Sequence, residues 1–156
     1  NIDYFNFGFS GNALGEKTMA DYIAALPMSL FFLDFDHNSP NAEHLKAHHE
    51  SFFLNIREKN PDLPVIMATK TDIPRSPAAE KSNAAHRAVV YETYENAVKR
   101  GDRNVIFIDG ATVFSKALTL SAPADSCTVD GCHPNDLGFA CMAKVFGDAI
   151  EKMLGL

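Results

Sequence analysis

The stretch Met28-Ser29-Leu30-Phe31-Phe32-Leu33-Asp34-Phe35, closed at once by the polar turn Asp36-His37-Asn38-Ser39, decides the fold class. A short run dense in Phe and Leu, bounded by turn formers, is the pattern of a strand buried on both faces, and such strands belong to parallel sheets. Three further runs, Ile2 to Phe9, Leu63 to Ala68 and Val105 to Ile108, have the same character. Helical patterns separate them, so the chain reads as successive βα units of an α/β domain with helices on both faces of the sheet.

The helices are legible from their spacing. Leu45, Phe52 and Ile56 lie on one helical face in a segment opened by Ser39-Pro40, which reads as an N-cap followed by proline at the first helical position. Ala84, Ala88, Tyr91, Tyr94 and Val98 form a second stripe, ending at Gly101, a residue suited to a left-handed C-terminal cap. The segment from Pro134 to Met153 places Leu137, Cys141, Val145, Ala149 and Met153 on one face, and Met19, Ile23 and Leu26 mark a shorter first helix stopped by Pro27. No repeat, low-complexity tract or linker interrupts residues 1–156, which read as one domain.

Composition narrows the function. Lys and Arg total 14 against 20 for Asp and Glu, a net charge of −6, so the basic surplus of a nucleic-acid-binding domain is missing. No apolar run is long enough to span a bilayer. The chain starts at Asn1 rather than Met, consistent with removal of a leader or a larger N-terminal piece, and a periplasmic or secreted location is slightly favoured over the cytoplasm. Cys127, Cys132 and Cys141 lack the paired spacing of a structural zinc site; they read as ordinary half-buried thiols, with a Cys127–Cys132 bridge as the alternative.

In an open parallel sheet, ligands bind outside the carboxyl ends of the strands, so chemistry is sought in the loops that follow each run. Three loops are informative: Gly8-Phe9-Ser10-Gly11-Asn12, Asp34 to Ser39, and Asp130-Gly131-Cys132-His133-Pro134-Asn135. In the last, Asp130 and His133 lie three residues apart in a turn entering a helix, so that the carboxylate can hold the imidazole as a general base. The competing reading makes Asp130 a turn former and His133 a neighbour of the helix cap. His44 and His48 sit four apart on a helix, but the H-E-x-x-H glutamate is absent and a solvated helix face accounts for them. Asp34, Asp36 and His37 supply too few ligands for a cation site, and neither a metal nor any other cofactor is expected.

The block Asp130-Gly131-Cys132-His133-Pro134, continuing as Asn135-Asp136-Leu137-Gly138, resembles the D-x-x-H-P block of the SGNH hydrolases, the GDSL-like lipases and acylhydrolases, and Gly8 to Asn12 resembles their glycine block. The resemblance implies a three-layer α/β/α sandwich of flavodoxin-like type, with the first strand missing from this chain. It also implies Asp130 as orienting acid, His133 as base, and Gly11 with Asn38 as oxyanion-hole donors. The expected reaction is serine-based hydrolysis of small acyl esters, O-acetylated carbohydrate among them. The alternative is a non-catalytic truncated or degenerate ligand-binding module.

Two departures from the family pattern bear on this. Where many members read G-x-N-D, Asp36 stands at the glycine position and Ser39 follows Asn38. The G-D-S block that carries the nucleophile is not found in these residues, and Ser10, just before Gly11, is a weak substitute, so the nucleophile is left unassigned. In the family's strand order 2-1-3-4-5 a lost first strand leaves an interior gap. Either a strand from another copy of the chain, making a homo-oligomer, or a changed strand order is expected to fill it.

Overall fold

The computed structural model describes residues 3–118 and 123–156. Three parallel strands, β1 (Phe31–Leu33), β2 (Val65–Ala68) and β3 (Val105–Ile108), form one sheet in the order β1-β2-β3. Around it lie α1 (Lys17–Ala24), α2 (Ala42–Lys59), α3 (Pro77–Lys99), the short α4 (Val113–Ala117) and α5 (Asp136–Leu154).

Because side chains alternate along a strand, the sheet divides its apolar residues between two cores. Leu33, Val65, Met67 and Val105 face a core shared with Ile23, Leu45, Phe53, Ile56 and Val90 of α1, α2 and α3. Ile66, Ala68 and Ile108 face the other, with Val113 and Phe114 of α4 and Cys141 of α5. The result is the expected α/β/α sandwich. All four residues of β2 are buried, as a strand paired on both edges and covered on both faces must be.

Helix starts follow from side-chain caps. The Asn41 side chain accepts from the His44 N–H at 2.8 Å, the Ser76 hydroxyl accepts from Ala79 at 3.1 Å, and the Asn135 side chain accepts from Gly138 at 3.0 Å. The start of α2 is thus set by Asn41 rather than by Ser39-Pro40; Ser39 is instead buried in the preceding turn. The stripe on α3 also differs from the sequence pattern. The buried face is His86, Val89, Val90, Thr93 and Ala97, while Tyr91 and Val98 are exposed. Tyr91 and Tyr94 lie on the flank of that face and pack against Phe107 of β3, with ring centroids 5.1 and 6.0 Å away.

The run expected as a first strand is not one among the described residues: Asp3 to Phe9 is irregular, and Ile2 lies outside them. An extended segment becomes a strand only by pairing, and this one turns its aromatics elsewhere: Phe7 meets Tyr22 of α1 edge-on at 6.0 Å, while Tyr4 and Phe5 are exposed. Asn6 also accepts from the Gly8 N–H at 2.7 Å, a local turn that competes with sheet pairing. The expected interior gap does not arise. The three strands are direct neighbours, as the last three strands of the order 2-1-3-4-5 are, and the open edge falls on the outer side of β1.

Inside the first core, His49 is buried and its Nδ1 lies 2.9 Å from the Thr93 hydroxyl. That hydroxyl donates its own proton to the Val89 carbonyl, so His49 Nδ1 must be the donor to Thr93. Burial disfavours the imidazolium and pulls the His49 pKa down to about 4. Burial lowers His86 as well. Both groups take up protons more readily unfolded than folded, so stability falls as pH drops from about 6.5, the unfolded value, toward about 4. For His49 the loss is on the order of 3 kcal/mol across that window. Urea unfolding at a series of pH values should show this slope, and His49→Gln should flatten it.

Candidate active site

The loops at the carboxyl ends of the strands are tied to one another by specific polar contacts. Gly110, after β3, donates its N–H to the Thr69 hydroxyl after β2 at 2.9 Å, and a Cβ at Gly110 would collide with the Thr69 and Lys70 carbonyls. Asp36, after β1, is buried and accepts from the Lys70 N–H at 3.2 Å. The residue that departs from the family's glycine therefore joins the β1 and β2 loops, and its burial pushes the carboxyl pKa up.

The fourth loop precedes α5. Thr128 and Pro134 form an antiparallel bridge, and the Val129 N–H donates to the His133 carbonyl at 2.9 Å, closing a tight turn. Gly131 sits in it at φ +96°, donating to the Thr128 hydroxyl at 3.1 Å, while its carbonyl accepts from the Ile73 N–H of the β2 loop at 2.6 Å. Asp130 organises the interior of the turn. One carboxylate oxygen accepts the backbone N–H groups of Cys132 and His133, each at 2.8 Å, and the other lies 2.6 Å from His133 Nδ1. A carboxylate only accepts, so Nδ1 carries the proton and the Nε2 lone pair of the neutral ring is left for chemistry.

The His133 backbone N–H, then its side chain, then the Cys132 N–H hold the Asp130 carboxyl well below its usual range. The pair is open to solvent, with side-chain exposures of 75% for His133 and 50% for Asp130. Its value therefore lies in orienting the ring rather than in stabilising the fold.

Gly11 lies in a turn at φ +68°, which is built on the Phe9 carbonyl accepting from Asn12 at 2.8 Å and Ala13 at 3.2 Å. The Asn38 amide donates to the same carbonyl at 3.3 Å, so the Gly11 turn and Asn38 are held together. Next to Asn38, His37 places Nδ1 4.0 Å from the Cys132 sulfur, beside His133. The four residues named from the sequence thus lie on loops that contact one another in a chain. Ser10 stays in the exposed Gly11 turn, where its carbonyl accepts from the Asn12 amide at 2.8 Å.

Other expectations are adjusted. Cys127 is buried with its sulfur 4.0 Å from that of Cys141, and Cys132 turns toward His37, so Cys127 and Cys132 are not bridged. His44 and His48 stack at 4.1 Å and are half-buried rather than solvated; their ring nitrogens lie 3.1 and 2.8 Å from the carbonyls of Leu14 and His44. Asp72, read from the sequence as a loop former, lies 2.8 Å from His37. No spacing signal links residues so far apart in the chain.

Residues 1–151 match the model of the GDSL-like lipase/acylhydrolase family. The chain belongs to that family. Among solved structures it is similar to a protein from Bacteroides ovatus assigned as a GDSL-like lipase, at 28% identity and a TM-score of 0.79, covering 93% of this chain and 42% of the other. It also shares the fold of the salicylyl-acyltransferase SsfX3 from a tetracycline biosynthetic pathway, at 22% identity and a TM-score of 0.70, covering 88% of this chain and 41% of the other. The chain thus spans about two fifths of the length of both structures. No curated protein matches it. No helix among the described residues is long and apolar enough to cross a membrane.

Two outcomes follow from the geometry of the turn. Gly131→Ala would force a side chain into a left-handed backbone and against the Ile73 carbonyl, 2.8 Å from the new Cβ. A cost of about 1–2 kcal/mol in denaturant unfolding is expected from the backbone conformation alone. The Asp130 carboxyl, followed by its carbon-13 resonance, should remain ionised at pH values where an ordinary aspartate is protonated.

Proposed function

We propose that this chain carries the acid/base and oxyanion parts of an acyl-ester hydrolase. In this reading His133 Nε2 takes the proton of an attacking serine hydroxyl, and Asp130 keeps Nδ1 protonated and stabilises the imidazolium that forms. The Gly11 N–H and the Asn38 amide stabilise the tetrahedral oxyanion. The imidazolium returns its proton to the leaving alcohol, and water, activated by the same nitrogen, releases the acid. The observation that supports this most is the 2.6 Å contact between Asp130 and His133, in a turn whose backbone also holds the carboxylate. Family membership supports the reaction class.

The substrate proposed is a small acyl ester, an O-acetylated carbohydrate among the candidates.

The test is hydrolysis of p-nitrophenyl acetate, with a serine-directed phosphonate followed by intact mass. If the parent chain hydrolyses the ester, His133→Ala and Asp130→Asn are each expected to lower kcat by roughly a thousandfold or more, and a single phosphonate adduct then identifies the serine nucleophile. Equal rates for the parent and His133→Ala would overturn the assignment of the base. An inert and unlabelled parent would place the nucleophile outside these 156 residues.

A further inference from the structure

His37, Asp72 and Cys132 come from three different loops, yet each offers a ligand atom within 4.8 Å of the other two. Their arrangement separates two possible uses. In a nucleophile–base–acid relay, the thiol and the carboxylate sit on opposite sides of the imidazole, with the width of the ring between them. Here all three donors crowd one region. His37 Nε2 pairs with Asp72 Oδ1 at 2.8 Å, and that oxygen is shut off from solvent. An acceptor so placed keeps a lone pair pointing into the cluster. The other Asp72 oxygen lies 3.7 Å from Lys70 Nζ, a contact that orients the carboxylate from behind as outer ligands do around metals.

We propose that His37, Asp72 and Cys132 bind a divalent zinc ion, with a fourth position open to water. Imidazole nitrogen, carboxylate oxygen and thiolate sulfur are the donor types zinc takes, and three protein ligands plus water complete a tetrahedron. Ligand atoms around such an ion lie about 3.3–3.6 Å apart, so the widest separation in the cluster closes by roughly 1 Å on binding. Zinc replaces the thiol proton of Cys132, which passes to solvent, and the thiolate and carboxylate together balance the charge of the ion. The ion clamps the β1, β2 and α5-preceding loops at one point. The proposal does not rest on the esterase reading, since neither His133 nor Asp130 is a ligand, although Cys132 adjoins His133 and its N–H is held by Asp130.

The experiment loads the metal-free chain with zinc under competition from a chromophoric chelator, and in parallel with cobalt. One equivalent of zinc is expected, with a thiolate-to-cobalt charge-transfer band and a raised thermal midpoint. Cys132→Ser should abolish the band, and Cys132→Ser and Asp72→Asn should each weaken zinc at least tenfold. His133→Ala should bind as the parent does. Binding that survives Cys132→Ser unchanged, as the stacked His44 and His48 would give, overturns the proposal, and so does the absence of stoichiometric binding to the parent. Far-ultraviolet circular dichroism confirms that each variant is folded, and loss of binding in Cys141→Ala with Cys132 intact would move the thiolate elsewhere and equally overturn it.

Discussion

The arrangement depends on β2. It pairs with β1 on one edge and β3 on the other, in parallel, and both its faces are covered by helices. A strand so enclosed must spend every backbone donor and acceptor on its neighbours and every side chain on a core. Val65, Ile66 and Met67 have no exposed surface, and each contributes about 2 kcal/mol of burial. Parallel pairing also sends the carboxyl ends of all three strands to the same edge of the sheet. That gathers loops distant in sequence before any specific contact between them forms.

What turns gathered loops into a site is a set of polar ties. Asp36 reaches Lys70, Gly110 reaches Thr69, Gly131 reaches Ile73, and His37 reaches both Asp72 and Cys132. Several involve a backbone group that would otherwise be unpaired at a strand end, where a missing partner costs about 1–3 kcal/mol. The same ties explain why two glycines cannot be replaced freely: at Gly110 and Gly131 the neighbouring backbone is already in the space a Cβ would take. The buried carboxylate of Asp36 is what joins the β1 and β2 loops here.

The sequence was most legible where one segment contains its own determinants. The strands from Leu30 onward and the Asp130-x-x-His133 turn depend on neighbours in the chain. It was least legible where partners decide. Asp3 to Phe9 has the composition of a strand, but only Phe7 packs on α1 and the rest is largely exposed, because an apolar run does not specify whether it pairs with a sheet. On α3, Tyr91 was read as part of the buried stripe, whereas its ring covers the side of Phe107 and His86 and Thr93 take the interior. Burying a histidine there depends on what surrounds it, which no single-segment pattern reports.

By itself the sequence determined the α/β class, the position of three strands and the main helices, and the local turn in which a carboxylate grips His133. These follow from periodicity, capping and turn chemistry, all of which act over a few residues. Only the tertiary structure decided which strands are neighbours, where the open edge lies, and that His37, Asp72 and Cys132 meet. Those outcomes depend on packing helices on two faces of one sheet, an interaction among segments up to about a hundred residues apart whose register no local pattern encodes.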